Sequence, residues 1–403
     1  MSKEQFCKAP WVSIAVAASG GIKPCCIFDS SIAHLNFRKG DSLESAWGKW
    51  SELRKQFIDG EKPESCNVCW KRGEVLGHSR LEWYNQILDD VDLSTVDFSS
   101  TTPTLKPFHM DFNFSNKCNL KCRMCGSWGS TAWFKEETQL HEISMNKPGN
   151  PYNRGASRFQ LTPNFNDIRA LTDHPEYFDN LVRIDFKGGE PLMHEEMFIF
   201  LEYLIKQNLS KKIKICYTTN GTKTPKILKE LWPHFNRVNL SVSMDGTDGV
   251  YEYIRGGNVM TLRELEENLQ FFESFDNLRG SFNTTISTYN IFNLGNILDW
   301  IDSLKSKQIK RFLTDARNQK FECMVTSPAY LSIENMPSEL KKLAREKLNK
   351  YPYANIDSIK TALANTEYSQ TQWQTFIDFT RDLDKLRDTN VVDVIPELTT
   401  YFT

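Results

Sequence analysis

The chain has 403 residues and a formal net charge of −2, with 40% hydrophobic and 25% charged residues, a composition that excludes wholesale disorder and a fibrous structure. Its length suits two or three domains, although a single barrel can hold more than about 200 residues. Lysine and arginine are mixed with aspartate and glutamate, so no overall field attracts nucleic acid, and no apolar run reaches the roughly 20 residues of a membrane span. We expect neither nucleic acid nor a membrane as a partner.

Residues 1–104 are rich in cysteine and end in a polar stretch that contains Pro103, which predicts a domain boundary. Their apolar run, residues 10–18, has some character of a signal peptide, but its removal would separate Cys7 from the other cysteines. Without a secretory signal, clustered cysteines indicate metal binding in a reducing compartment. We therefore expect a cytoplasmic protein.

From residue 107 onward, short β-type runs alternate with longer helical patterns, as in parallel βα units. The predicted strands are His109–Phe114, Arg183–Phe186, Lys212–Thr218, Arg237–Ser243, Ser281–Ser287 and Phe321–Thr326. The predicted helices are Glu195–Gln207, Pro225–Leu231, Leu262–Phe275, Leu294–Lys305 and Ser338–Lys350. Six such units with right-handed crossovers predict an α/β fold, a partial (β/α)6 TIM-like barrel over residues 105–335. We expect residues 336–403 to form a helical extension that packs on it. We expect the long connection around residues 144–163 to be a lid, a binding loop or a disordered segment.

Cys118, Cys122 and Cys125 form a C-x-x-x-C-x-x-C loop, called here the three-cysteine loop (residues 118–125), directly after the first predicted barrel strand. Catalytic groups gather at the C-terminal ends of barrel strands. A [4Fe-4S] cluster has four irons, so three cysteine ligands leave one iron open for a non-protein ligand. Structural zinc is the alternative, but it takes four ligands and other spacings. The loop therefore favours an iron–sulfur cluster.

The second predicted strand ends in Gly188-Gly189-Glu190-Pro191. The two glycines permit positive φ and close approach of a ligand to the backbone, and Glu190 offers a carboxylate to an ammonium group. A plain turn is the alternative for this motif. Its place at a strand end, after the three-cysteine loop, favours ligand binding.

Three further candidates follow the third and fourth strands. Asn220 precedes a glycine, a pair that also suits a tight turn. Ser243 ends the fourth strand, and Arg255 follows twelve residues later. A planar arginine fork donates two parallel hydrogen bonds to a carboxylate, so Arg255 is a candidate for carboxylate binding.

These motifs resemble the radical S-adenosylmethionine (radical SAM) superfamily, although Met124 stands where that family often has an aromatic residue. The resemblance implies that the three-cysteine loop binds a [4Fe-4S] cluster, that Gly188–Pro191 hold the methionine amino group, and that Ser243 and Arg255 hold the carboxylate. Asn220 joins them as a cofactor-binding residue. It further implies a low-potential electron donor such as flavodoxin or ferredoxin, and a 5′-deoxyadenosyl radical that takes a hydrogen atom from the substrate. It assigns no catalytic acid or base.

Cys7, Cys25, Cys66 and Cys69 form a second set of four possible ligands, and on spacing alone zinc suits them as well as an iron–sulfur cluster. The order Cys-x-x-Pro-Trp, Gly-x-Ile-x-Pro-Cys, Cys-x-x-Cys resembles the SPASM or twitch auxiliary domain, which implies a second [4Fe-4S] cluster. Such domains usually follow the barrel, whereas this one precedes it. Cys25 fits the motif better than Cys26.

The resemblance implies a radical SAM enzyme, and we expect the oxidative modification of a peptide or protein side chain. A radical SAM dehydrogenase of a small molecule, such as a polyol or an aminocyclitol, is the first alternative. The second is a non-catalytic iron–sulfur protein that senses iron or redox state. The cofactor-binding motifs argue against it, because a sensor needs no such residues.

Overall fold

The computed structural model describes residues 6–17, 19–29, 35–36, 40–76, 79–89, 91–152, 169–257, 259–319, 321 and 323–403. The strands are β1 Ser13–Val16, β2 Ile22–Lys23, β3 His109–Asn113, β4 Arg183–Lys187, β5 Lys214–Thr219, β6 Arg237–Ser243, β7 Leu278–Asn283, β8 Thr285–Ile286 and β9 Cys323–Met324. The first α-helices are α1 Ala9–Val12, α2 Leu43–Lys49, α3 Ser51–Ile58, α4 Asn67–Leu76, α5 Arg80–Gln86, α6 Phe134–Met145, α7 Arg169–Thr172, α8 Glu195–Lys206 and α9 Leu228–Leu231. The later ones are α10 Gly249–Arg255, α11 Leu262–Glu273, α12 Leu294–Ser303, α13 Ser338–Leu348, α14 Ala354–Asn365, α15 Gln370–Arg387, α16 Val391–Val394 and α17 Thr399–Phe402. Of the predicted long connection, residues 153–163 lie outside the described residues.

Seven strands form one sheet in the order β2-β1-β3-β4-β5-β6-β7. β1 is antiparallel to β2, whereas the pairs β1–β3, β3–β4 and β4–β5 are parallel. In this register Asp111 lies opposite Asp185, which lies opposite Cys216. Parallel strands joined by helices confirm the predicted α/β class.

The last two predicted strands differ from the observed ones. The run Ser281–Ser287 is broken between β7 and β8, because the N–H of Thr285 donates to the carboxylate of Asp245 at 2.9 Å. The run predicted over Phe321–Thr326 contributes only β9, which pairs with β8 in a separate two-stranded sheet. The sixth predicted strand is therefore not part of the main sheet.

The main sheet also contains a strand from the cysteine-rich segment. Every residue of β1 is buried, and Ser13 lies opposite His109 of β3, with 2.8 Å between the Ser13 hydroxyl and Nδ1 of His109. The apolar run of the sequence thus contains a buried sheet strand. Four buried residues show no alternation of polar and apolar positions, and the sequence analysis missed this strand for that reason.

The chain divides into two compact units, Met1–Ser115 with Thr162–Tyr217 and Lys226–Asn239, and Asn116–Leu161 with Thr218–Pro225 and Leu240–Thr403. These bounds differ from the domain boundaries predicted near residues 104 and 335. The division into a domain of residues 1–104, a barrel of residues 105–335 and an extension of residues 336–403 stays a prediction.

The first unit packs its amino-terminal helices around buried aromatic side chains and one buried cation. Trp11 is fully buried, and its ring centroid lies 6.5 Å from that of Phe57. Arg54, also fully buried, donates to the carbonyls of Pro10 and Trp47, at 2.9 Å each. Arg54 thereby ties α2 and α3 to α1, because a buried guanidinium must be hydrogen-bonded.

The second unit contains the predicted helices α11, α12 and α13, with starts as predicted and carboxyl ends two residues early. The capping box of Thr261 and Glu264 sets the start of α11. From residue 338 onward the chain forms α13 to α17. The 18-residue α15 packs Phe376 against Tyr289, with ring centroids 5.1 Å apart.

Candidate cofactor site

The three-cysteine loop belongs to the second unit, and internal hydrogen bonds fix its backbone. The N–H of Cys125 donates to the carbonyl of Cys122 at 2.8 Å, and the N–H of Leu120 donates to the sulfur of Cys118 at 3.4 Å. The indole N–H of Trp133 donates to the carbonyl of Cys122 at 2.9 Å. All three cysteines are half-buried. The loop therefore presents three partly accessible thiols on an ordered backbone.

Opposed charges surround Cys122. Burial raises the pKa of this thiol to about 11, Arg255 opposes that rise, and Asp245 and Cys118 add to it. Cys122 is therefore a neutral thiol at neutral pH in the metal-free protein. Thiols bind metal as thiolates, so metal binding at this loop must release a proton.

Arg255 is buried beside Asp245, at 5% and 2% exposure. It donates through Nη1 to a carboxylate oxygen of Asp245 at 2.6 Å, while its Nε has no hydrogen-bond partner among the described residues. Burial lowers the pKa of Arg255, but the Cys122 thiolate and the Asp245 carboxylate raise it, and the net shift is upward. Arg255 is thus a fixed cation with one buried donor still unused.

Asp245 was not predicted as a site residue. It lies two residues after Ser243, the half-buried last residue of β6. Besides Arg255, its carboxylate accepts the N–H of Thr285 at 2.9 Å. The stretch Ser-x-Asp-Gly that ends β6 was the available signal, because an aspartate there can orient an arginine at the same edge.

Asn220 combines the predicted turn with a contact to the three-cysteine loop. Its side-chain oxygen accepts the N–H of Thr222 at 2.9 Å. Its side-chain N–H₂ donates to the side-chain oxygen of Asn119 at 3.0 Å and lies 3.7 Å from the sulfur of Cys118. The turn and the ligand-binding interpretation are therefore compatible at this residue.

The motif Gly188–Pro191 lies in the first unit, at the end of β4. Gly188 has a φ of 79°, and a Cβ there would come 2.8 Å from the Cβ of Asn113, so that glycine alone fits without strain. The carboxylate of Glu190 is fully buried and accepts the N–H of Leu192 at 3.1 Å. This bond caps the short 3₁₀ turn that begins at the proline.

Burial and neighbouring thiols raise the pKa of three cysteines of the first unit. Burial raises the pKa of Cys7, and the thiolates of Cys66 and Cys69 raise it further. Burial likewise raises the pKa of Cys25, to which Cys26, Cys7 and Cys66 add, and burial with Cys69 raises the pKa of Cys66 to about 12. No three His, Cys, Asp or Glu side chains within the described residues are placed to hold one metal ion.

Cys26 has different surroundings from the four predicted ligand cysteines of this unit. Its N–H donates to the hydroxyl of Tyr84 at 3.3 Å, and that hydroxyl lies 3.8 Å from its sulfur. Burial lowers the pKa values of Arg80 and Lys187, but nearby anions, including the Cys26 thiolate, shift both upward. Cys26 therefore neighbours cations and a tyrosine in addition to Cys25.

A row of charged side chains on β3 and β4 was also missed by the sequence analysis. Lys187 donates to Asp111 at 2.5 Å, and Arg183 donates to Asp185 at 2.8 Å. The second carboxylate oxygen of Asp185 lies 3.5 Å from Nε2 of His109. These residues occupy alternate positions of their strands, so they share one face of the sheet, and that alternation was the available signal.

A comparison with known protein families matches the segment that contains this loop and these motifs. Residues 112–289 match the family model described as the Radical SAM superfamily. The matched segment covers less than half of the 403 residues. It contains the three-cysteine loop, Gly188–Pro191, Asn220, Ser243 and Arg255. Over residues 112–289 this match agrees with the resemblance seen in the sequence.

The chain is also similar to solved structures of low identity. One is anSMEcpe with bound AdoMet, with 16% identity and a TM-score of 0.39 over 61% of this chain and 62% of that one. Another is Streptococcus suis SuiB bound to precursor peptide SuiA, with 14% identity and a TM-score of 0.35 over 87% and 64%. The chain thus spans less than two thirds of either protein. A search of curated protein sequences finds no match.

Within the described residues no helix is both long and apolar enough to cross a membrane.

The donor set of the three-cysteine loop suits an anionic iron–sulfur cluster. Three thiols supply the ligands that such a cluster takes from cysteine. Around them, three buried guanidinium nitrogens have no hydrogen-bond partner among the described residues, namely Nε of Arg255, Nη1 of Arg123 and Nη1 of Arg387. Buried donors without a partner destabilise the folded protein. An anionic group at this loop would accept hydrogen bonds from such donors.

Proposed function

We propose that the protein is a radical SAM enzyme whose three-cysteine loop binds the reactive [4Fe-4S] cluster. The observation that carries this proposal is the set of three half-buried thiols beside buried arginines with unused donors. When bound, the cluster and S-adenosylmethionine together supply a 5′-deoxyadenosyl radical. The chain itself binds, orients and shields these groups.

The cofactor-binding roles follow the family resemblance. Cys118, Cys122 and Cys125 ligate three irons and leave the fourth open. Arg255 receives the cofactor carboxylate through its unused Nε, while Asp245 keeps it charged and oriented. Gly188–Pro191 receive the methionine amino group, and Ser243 and Asn220 complete the cofactor contacts.

Cys7, Cys25, Cys66 and Cys69 are proposed as ligands of a second, auxiliary [4Fe-4S] cluster of the SPASM or twitch type. The effects of neighbouring thiols on the pKa values of Cys7, Cys25 and Cys66 support the set. Cys25 is preferred to Cys26 because it interacts with both Cys7 and Cys66. Zinc at the same four thiols is the competing assignment.

A second cluster held by Cys7, Cys25, Cys66 and Cys69 would have no iron open for substrate. We propose that it would serve as an electron acceptor for the substrate radical. The overall reaction is then an oxidation. We assign it to a peptide or protein side chain, following the relatives that carry such domains, with a low-potential flavodoxin or ferredoxin as electron donor.

Anaerobic reconstitution with iron and sulfide tests this proposal. The wild-type protein should bind about eight irons, as two four-iron clusters, and should form 5′-deoxyadenosine from S-adenosylmethionine when reduced with dithionite. A variant with alanine at Cys118, Cys122 and Cys125 should keep about four irons and form none. A Cys216→Ala/Cys323→Ala variant is the matched control and should behave as wild type.

Retention of eight irons by the triple alanine variant would contradict the assignment of the reactive cluster. Zinc in place of iron at the amino-terminal cysteines would contradict the auxiliary cluster. Iron binding without any cleavage of S-adenosylmethionine by the wild-type protein would favour a sensor.

A further inference from the structure

The carboxyl end of α15 contacts the three-cysteine loop directly. Arg387, the last residue of this helix, donates through Nη2 to the carbonyl of Lys121 at 2.6 Å. It also donates to one carboxylate oxygen of Glu136 through Nε at 3.1 Å and Nη2 at 2.8 Å. Lys121 lies between two of the loop's cysteines, so Arg387 holds the peptide next to Cys122.

Arg387 is buried and one of its nitrogens is unused. The side chain is 5% exposed, and Nη1 has no hydrogen-bond partner among the described residues. A Cβ at Gly256, where φ is 53°, would come 2.9 Å from Nη1, so a residue with a side chain there would meet the guanidinium. The guanidinium carbon also lies 4.8 Å from the ring of Trp133, whose indole binds the carbonyl of Cys122.

A second arginine joins the same helix to the same loop. Arg123, within the loop, donates to Asp384 of α15 at 2.5 Å, and Asp384 also accepts the hydroxyl of Tyr253 at 2.9 Å. The guanidinium of Arg123 lies 3.5 Å from the Tyr253 ring centroid. Arg123, Asp384 and Tyr253 are all buried. The last turn of α15 is therefore fixed against the loop independently of Arg387.

Arg387 places a buried cation at the peptide between Lys121 and Cys122, because its guanidinium donates to the carbonyl of Lys121. One-electron reduction of a [4Fe-4S] cluster adds one negative charge, supplied by the electron donor. A fixed cation stabilises that added charge, since net charge and hydrogen bonding around a cluster set its potential.

We propose that Arg387 is a positioning residue that orders the three-cysteine loop and raises the reduction potential of the cluster held there. This inference rests on the proposed function of the loop. It gives the carboxyl-terminal helix a role in cofactor reduction in addition to packing.

The test is a dithionite titration of the reconstituted protein, followed by the electron paramagnetic resonance signal that changes on addition of S-adenosylmethionine. Arg387→Gln should lower the equilibrium constant for one-electron reduction about tenfold, a midpoint shift of about 59 mV to more negative potential. Arg387→Lys keeps the charge and should stay close to wild type. Arg381→Gln is the control, because Arg381 is an exposed arginine of the same helix that donates to the carbonyl of Tyr401.

Glu136→Gln provides a test of opposite sign. Glu136 neutralises Arg387 and Lys121, so its removal should shift the midpoint to less negative potential. A purely structural role would move both variants in the same direction. If Arg387→Gln fails to load a cluster, Arg387→Lys and Glu136→Gln carry the comparison.

A midpoint unchanged in both Arg387→Gln and Glu136→Gln overturns this inference and leaves the proposed function standing. A wild-type protein that loads no cluster responsive to S-adenosylmethionine overturns the proposed function and this inference with it.

Discussion

The two groups of cysteines have surroundings of different charge. In the first unit burial is the main cause of the raised pKa of Cys7, Cys25 and Cys66, and neighbouring thiols add to it. In the second unit burial also dominates at Cys122, but two arginines oppose it. Four thiols form a complete ligand set by themselves. Three thiols leave one iron of a cluster without a protein ligand, and the arginines beside them have donors that an anionic group could use.

This difference predicts that the two groups can be separated by mutation, and the largest effect is expected for the amino-terminal set. A Cys66→Ala/Cys69→Ala variant should lose about four irons and all substrate turnover. It should still form 5′-deoxyadenosine with dithionite, because the open iron belongs to the other loop. Iron analysis and product chromatography measure both outcomes.

Folding is the control for this variant, since loss of a metal site can unfold its domain. Solubility and a wild-type circular dichroism spectrum must therefore accompany the measurement. A folded variant that makes no 5′-deoxyadenosine would place the auxiliary cluster on the path of the initiating electron.

The cations of the second unit provide the next prediction. Arg255→Ala should weaken S-adenosylmethionine binding by about 1.5 to 3 kcal/mol, the range for a hydrogen bond to a charged group, and leave the iron content unchanged. Arg255→Lys keeps the charge beside Asp245 but loses the planar fork, so its loss should be smaller. Equilibrium binding to the oxidised, reconstituted protein measures both.

The control for Arg255 is Arg263→Ala, because the side chain of Arg263 is 88% exposed and pairs only with Glu267 of its own helix among the ion pairs of the described residues. It should bind the cofactor as wild type does. Equal affinity of Arg255→Ala and wild type, with full iron content, would rule out the carboxylate role.

Elements and site residues marked by a local sequence pattern could be predicted. Residues that contact each other across a long stretch of the chain could not. Strands such as β6 were recognised from the β-type run of the sequence, whose alternation matches the alternating burial of the strand, and the three-cysteine loop from its spacing. Asp384 and Arg387 contact residues more than 250 positions earlier, and no local pattern marks such pairs. The short strand β1 was missed because all four of its residues are buried.

The smallest predicted effect concerns pH and shows what the two cysteine groups share before metal binds. The folded metal-free protein holds the pKa of Cys66 at about 12 and of Cys122 at about 11, mainly through burial, above the ordinary value of 9.0. A thiol whose pKa is raised by folding stabilises the folded state below its unfolded pKa, and this stability is lost as the pH rises toward the folded value. The free energy of unfolding of the metal-free protein should therefore fall between pH 8 and pH 10, by about 1.4 kcal/mol for each such thiol. Urea unfolding at both pH values measures this decrease. Cys66→Ser or Cys122→Ser should each remove the part of the decrease that its thiol contributes.

Cys216→Ser is the matched control, because burial also raises the pKa of Cys216 to about 12 and this residue lies outside both groups. The contribution of Cys216 to the decrease should persist in the iron-loaded protein, whereas the contributions of Cys66 and Cys122 should disappear. An equal fall with and without iron would show that neither Cys66 nor Cys122 becomes a thiolate ligand.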